Sequence, residues 1–338
     1  MPALLSELDD AGLDTLIARE PGNIAALVER GHRRAEAGDH RAAVAFFKAA
    51  LGAAGELAQR GPLAADLRAP IERAQRGLQE GHAAFQQHLE NSLAAAGFPE
   101  GRRPPGFQHS LDLMLGRRQL TEASIQQPGQ YLYPGLPQRR YYDAGEFAWA
   151  PTVEAAAPAI RAELEAYLAQ GSADFRPYLV SNPDRPPSNF HGLTDNPAWS
   201  TLYLWENGRA NEAIAERFPA TMAAMASVDL ARISVRAPSI LFSRLGPGAT
   251  IPPHHGAINA RLICHLPLIV PEGCGFRVGG ETREWHEGKL LIFDDSVLHE
   301  AWNRSGEDRI ILIFDCWRPE VPADDRRAIA AMFEAIDG

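Results

Sequence analysis

Residues 239–319 read SILFSRLGPGATIPPHHGAINARLICHLPLIV and then PEGCGFRVGGETREWHEGKLLIFDDSVLHEAWNRSGEDRIILIFDCWRP, and this stretch decides the fold. Four short apolar runs, ILFSRL, RLICHLPLIV, KLLIF and RIILIFDCW, alternate with clusters of Gly, Pro, Asn and Asp. That spacing predicts a compact all-β barrel or sandwich. Period-two alternation in RLICHLPLIV puts Arg261, Ile263 and His265 on one face and Leu262, Cys264 and Leu266 on the other, with the second face as core.

Histidines and arginines sit on this framework. His254 follows a Pro-Pro turn at the mouth of a strand, and His299 follows the strand KLLIF and the turn DDS. Two imidazoles from separate strands can hold a divalent ion, and neutral imidazole suits Fe(II), Zn(II), Cu(II) and Ni(II) alike. Arg309 opens the run IILIF, where its guanidinium fork can grip a carboxylate in two-point fashion beside the metal. Ser243 can give a hydroxyl to the same anion. His255 is set apart from His254, because strand neighbours face opposite sides. Asp294 and Asp295 are read as bracing the turn before His299 rather than ligating. Trp285, Trp302 and Trp317 are read as core or rim residues.

PHHGAINARLICHLPLIVPEGCGFRVGG, EGKLLIFDDSVLHEAWN and the following Arg309 resemble the aspartyl/asparaginyl β-hydroxylase family of 2-oxoglutarate-dependent, non-haem Fe(II) oxygenases. YLYPGLPQRRYYDAGEF and WSTLYLWENGRANEA extend the likeness. The resemblance implies a double-stranded β-helix, or jelly roll. It matches His254 and His299 to the iron-binding histidines, and Arg309 and Ser243 to the grip on the distal carboxylate of 2-oxoglutarate. His265 matches a residue near the metal-chelating end of that co-substrate, and Arg261 an arginine near the substrate. The implied reaction consumes O2 and hydroxylates an Asp or Asn side chain in a free amino acid, a peptide or a protein. Two positions depart from the wider pattern. Gly256 stands where most such oxygenases carry a carboxylate ligand, as this branch also lacks it, and Ile263 stands where animal members have a further arginine.

The chain has 338 residues, 45% of them hydrophobic, enough for one large or two ordinary domains with a full core. The formal net charge of −10 leaves no general basic footprint for nucleic acid or an anionic membrane. Cys264, Cys274 and Cys316 are an odd number without CxxC spacing, which favours a reducing interior. The opening MPALLSELDDAGLDTL does not read as a signal segment, and no run suits a membrane span. A cytoplasmic protein is expected.

Residues 1–100 are rich in Ala, Leu, Glu, Arg and Gln and predict helices broken at Pro21-Gly22, Gly38-Asp39 and Gly61-Pro62. NIAALVERGHRRAEAGDHRAAVAFFKAAL resembles one tetratricopeptide unit, with Leu27, Gly31, Ala43, Phe47 and Ala50 at the nesting positions and residues 62–97 as its packing partner. Such a region serves as a peptide- or partner-binding groove, as a cap on the barrel, or in self-association. FPEGRRPPGF is the linker, so the expected division is a helical domain, 1–100, and a jelly-roll oxygenase domain, 101–338, an α+β chain overall. Within the second domain, PTVEAAAPAIRAELEAYLAQG predicts a helix ending at Gly171. The turn-rich RPYLVSNPDRPPSNFHGLTDNPAWS predicts a long loop of the kind that forms a lid or substrate wall.

Two other readings stay open. One is a non-enzymatic, cupin-like module binding a small anion or sugar, with the helical region recruiting a partner. The other is a Zn(II) hydrolase, against which stand only two convincing ligands and no placed general base.

Overall fold

The structure, a computed structural model, describes residues 5–120, 124–171, 174–182, 186 and 190–337. The chain groups into two units, Met1–Asn91 with Val180–Phe190, and Ser92–Leu179 with His191–Gly338. Parts of the expected substrate-wall loop, 183–185 and 187–189, lie outside the described residues.

The first unit is helical: α1 (Asp10–Arg19), α2 (Ile24–Glu36), α3 (His40–Arg60) and α4 (Arg68–Ala95) up to Asn91. Each of the first three starts where a short polar side chain takes up an otherwise unpaired amide. Asp9 accepts from Gly12 N at 2.8 Å, Asn23 from Ala26 N at 3.1 Å and Asp39 from Ala42 N at 2.8 Å. The breaks fall at the expected Pro and Gly positions, and Gly38 takes φ 82°, a left-handed conformation that favours glycine. Leu27, Ala43, Phe47 and Ala50 form the core with Ala74 of α4. The Phe47 ring lies between two helices that approach through glycines: a β-carbon on Gly31 would come within 2.6 Å of it, and one on Gly77 within 2.5 Å. Arg30, buried in the same unit, is held by Asp10 and Asp14.

In the second unit, α5 (Pro105–Met114), β1 (Tyr141–Tyr142), α6 (Ala150–Ala169), β2 (Arg176–Pro177), β3 (Trp199–Glu206), β4 (Arg209–Ala210), α7 (Glu212–Ala215) and α8 (Pro219–Met225) precede the barrel strands. Those are β5 (Ile240–Leu245), β6 (Thr250–His254), β7 (Arg261–Ile269), β8 (Cys274–Val278), β9 (Glu281–Arg283), β10 (Leu291–Phe293), β11 (His299–Asn303) and β12 (Arg309–Trp317), followed by α9 (Ala323–Asp337). The larger sheet has the order β1-β10-β7-β12-β5-β3-β2 with β4 on β3, and the smaller one β6-β11-β8-β9. From β5 to β12 the chain passes repeatedly between two antiparallel sheets, which is the strand order of a jelly roll. The sheets face each other: Phe276 of β8 lies 5.0 Å from the His265 ring of β7 and 4.6 Å from Phe293 of β10.

Alternation sorts the larger sheet into two faces. Leu262, Cys264, Leu266, Leu268, Ile310, Leu312, Phe314 and Cys316 join α6 and α8 in the main hydrophobic core, so the opposite parity of β7 and β12 is left to line the barrel. Among the described residues no helix is long and apolar enough to cross a membrane.

Candidate active site

His254, at the end of β6, is the direct antiparallel partner of His299, at the start of β11. Their ring centroids are 4.1 Å apart. In both, Nδ1 faces the carbonyl oxygen of the residue two positions earlier, Pro252 at 2.8 Å and Val297 at 3.0 Å. A carbonyl can only accept, so Nδ1 carries the proton and Nε2 is the lone-pair nitrogen. Burial drives both rings toward the neutral form, and neighbouring His254 adds to the effect on His299, which falls to about 3. His255 instead turns its Nδ1 to Ser296 O at 2.9 Å.

Arg309 enters the barrel at the start of β12, opposite Leu245 of β5. Asn303 sets that entry: its Nδ2 reaches Leu245 O at 2.8 Å and Glu307 O at 2.7 Å, holding the turn from β11 to β12. The guanidinium is 1% exposed and lies 4.9 Å over the Trp285 ring. Among the described residues no carboxylate pairs with it, its Nε has no hydrogen-bond partner, and desolvation pulls its pKa down to about 10. Burying an unpaired cation costs on the order of several kcal/mol, so this is a place prepared for an anion.

A continuous series of contacts joins the cation to the imidazole pair. Trp285 is 5.9 Å from His265, His265 is 4.8 Å from Phe293, and Phe293 is 5.4 Å from His299. His265 is buried, among the described residues its Nδ1 has no partner, and burial with the nearby charge of Arg309 holds its pKa well below the usual value. Ser243 of β5 is buried two residues along from the Arg309 partner Leu245, hence on the same face, and its Oγ accepts from Trp199 Nε1 at 3.4 Å. Trp199 stacks on Tyr178 with centroids 4.1 Å apart and lies 6.4 Å from His254.

Arg261 is placed differently from an open carboxylate contact. It lies between two acids of its own chain, Nη2 at 3.3 Å from Asp295 and Nε at 3.4 Å from Asp315. Asp294 braces the turn, accepting from Ser296 N at 3.0 Å and pairing with fully buried Arg318 at 2.6 Å. Asp295 does not join the imidazoles. Among the described residues no group of three or more His, Cys, Asp or Glu could hold a metal ion. Gly256 has no room for a side chain, because a β-carbon there would fall 2.0 Å from Asp295 Oδ2.

Sequence reasoning overlooked Asp315, Tyr178 and Trp199 and took Trp285 for core or rim. Alternation from Arg309 could have found Asp315, since 309, 311, 313 and 315 share a face. Trp285 lies in a loop and the stacked pair comes from outside the eight barrel strands, so no local pattern marks them.

A jelly roll holding two facing imidazoles beside a buried, unmatched guanidinium defines a candidate metal- and anion-binding barrel. Residues 154–319 match the family model described as aspartyl/asparaginyl beta-hydroxylase. The aspartyl/asparaginyl beta-hydroxylase of Mus musculus is 40% identical over 141 residues, 41% of this chain and 19% of that protein. Aspartate beta-hydroxylase domain-containing protein 1 of Homo sapiens is 33% identical over 245 residues, 71% of this chain and 56% of that one. An ornithine lipid ester-linked acyl 2-hydroxylase of Rhizobium tropici is 34% identical over 190 residues, 55% and 63% of the two chains. The chain thus spans less than two thirds of each of these relatives. Over residues 154–319 its similarity is to the aspartyl/asparaginyl β-hydroxylase family.

Proposed function

We propose that the chain is an Fe(II)- and 2-oxoglutarate-dependent hydroxylase acting on an aspartyl or asparaginyl side chain. The observation that carries the reading is the buried guanidinium of Arg309, which lacks a carboxylate and stands at the end of a contact series leading to His254 and His299. A dicarboxylic keto acid offers what those groups lack: a far carboxylate for the fork of Arg309, and a chelating end for a metal. Two of these relatives, one named for aspartyl or asparaginyl residues and one for a lipid acyl chain, share hydroxylation.

In this reading His254 and His299 hold the metal through Nε2, and the backbone bonds at Nδ1 fix the tautomer and aim each ring. Arg309 and Ser243 take the distal carboxylate of 2-oxoglutarate. His265, neutral and with Nδ1 unbonded, donates to or accepts from the chelating end. The packing of Asp295 against Gly256 keeps a third protein ligand out of the position two residues after His254. Bound iron would supply the oxygen activation that no side chain here can. Phe276, Phe293 and Trp285 pack against one another and against His265, an apolar surround that would keep water from the reacting groups.

We extend the proposal to the chain's organisation. Residues 101–338 form the catalytic domain and residues 1–100 a tetratricopeptide-like domain that engages a partner or a second copy. The free thiols Cys264, Cys274 and Cys316 suit the reducing cytoplasm. The test is anaerobic addition of 2-oxoglutarate to the Fe(II)-loaded chain, followed by air and an Asn- or Asp-containing peptide. A metal-to-ligand absorption band and then succinate are expected. Absence of both sinks the reading.

A further inference from the structure

The ion-paired cluster around Arg261 lines a cavity of about 100 Å³ whose walls include Tyr178, Tyr203, Ile263, Ile313 and Asp315. One cation, Arg261, faces two carboxylates, Asp295 and Asp315, at 3.3 and 3.4 Å. Arg236, also on the wall, has its own acid, with Nε 2.8 Å from Asp337. Counting these three acids against two guanidinium groups leaves the cluster one negative charge in excess. Ile263, also on the wall, is apolar and leaves that excess uncompensated.

Among the described residues, two buried polar atoms of the Arg261–Asp295 pair have no hydrogen-bond partner: Arg261 Nη1, a donor, and Asp295 Oδ1, an acceptor. An orphaned donor and an orphaned acceptor carried by the two members of one ion pair, in contact at 3.3 Å through Nη2 and Oδ2, are the complement of a group that presents an acceptor and a donor side by side. A primary carboxamide does so, its C=O to Nη1 and its N–H to Oδ1. A carboxylate could satisfy Nη1 only. It would leave Oδ1 unpaired and add a second negative charge to a cluster that already has one too many, where burial has pushed Asp295 up to about 6.

We propose that this cluster is a specificity subsite that selects an uncharged carboxamide over a carboxylate, so that the acceptor is asparaginyl rather than aspartyl. The proposal rests on the hydroxylase reading for the reaction and adds which of the two side chains is taken. Arg261 and Asp295 act as specificity-determining residues through opposite halves of one amide group. Rejection follows from a buried acceptor left empty, a mechanism that separates close analogues far better than shape does.

The experiment uses the full chain loaded with Fe(II) and 2-oxoglutarate under anaerobic conditions, with three probes titrated calorimetrically at pH 8. These are N-acetyl-L-asparagine methylamide, the corresponding aspartate, and the corresponding alanine, which has backbone amides only. The asparagine probe should bind at least about tenfold tighter than either other probe. Ile263→Arg, which adds a cation to the cavity, should narrow or invert the asparagine-to-aspartate ratio. Asp295→Asn should lower that ratio by a similar factor. Equal or tighter binding of the aspartate or alanine probe to the unaltered chain, or no binding of the asparagine probe, overturns the proposal. Failure of the oxygenase reading shows separately, as absence of the absorption band and of succinate while the probe preference persists.

Discussion

His254 and His299 oppose one another across two adjacent strands, β6 and β11, so the ring pair is built into backbone hydrogen bonding rather than hung on loops. Strand pairing fixes their separation to within the play of two side chains, and the Nδ1 bonds remove most of that play. His299→Ala should weaken Fe(II) or Co(II) binding by at least about 100-fold, beyond the 10- to 100-fold usual for residues behind a ligand. Metal titration of the folded variant measures it, and unchanged affinity would remove the pair from the metal site.

Arg309 separates a binding role from a structural one. Arg309→Met keeps much of the side-chain volume and removes a buried charge that no carboxylate pairs among the described residues, so the unliganded chain should melt at the same temperature or higher. Affinity for 2-oxoglutarate should fall by about 100-fold, roughly 3 kcal/mol, because a buried charge-assisted contact is lost. Loss of thermal stability without loss of co-substrate affinity would mean that the cation serves the fold.

Gly256 and Asp295 are coupled by space. Gly256→Ala should destabilise the barrel by about 1–3 kcal/mol, since its β-carbon would fall on the Asp295 carboxylate. Adding Asp295→Ala should restore part of that loss, which a double-mutant cycle of denaturation midpoints would resolve. Additive effects would show that the two positions do not share the same space.

The acidity of Asp295 gives a signed pH dependence. Its native pKa is raised from 3.8 to about 6, first by burial and then by Asp294 and Asp315, against the opposing pull of Arg261. The folded state thus holds the proton more tightly than the unfolded one. The stabilisation from protonation is complete below about pH 4 and is lost as pH rises through about 6. Asp295→Asn should therefore gain stability relative to the unaltered chain between pH 4 and pH 6.5, read as a growing difference in melting temperature. A difference independent of pH over that window contradicts the assignment.

In the helical unit, Gly77→Val should cost about 1–3 kcal/mol, because the new side chain meets the Phe47 ring. Phe47→Leu should reduce that cost by making room. Thermal melts of the four chains decide it.

Much of the barrel is readable along the chain because a strand declares itself by parity. Leu262, Cys264 and Leu266 fall in the core, while Arg261 and His265 face the other way, as alternation requires. The helix breaks at Pro21, Gly38 and Gly61 are equally legible, since those residues act on the backbone locally. What cannot be read this way is who meets whom across the barrel. Arg261 looks like an open cation until Asp295 arrives from the turn before β11 and Asp315 from the far end of β12. Trp285 looks like filler until the fold lays it against Arg309. Such contacts are set by tertiary closure, and single-strand patterns carry no trace of them.

β12 is hydrogen-bonded on both sides, to β5 and to β7, and its inward side carries Arg309 at one end and Asp315 at the other. One ribbon thus links the buried cation to the ion-paired cluster of Arg261, with odd-numbered residues as its only vocabulary. A single inserted residue between them would turn Asp315 outward and bring Cys316 in, disconnecting the two groups at a stroke. Diversification of this scaffold must therefore proceed by exchanging side chains at fixed stations along the strand, never by lengthening it.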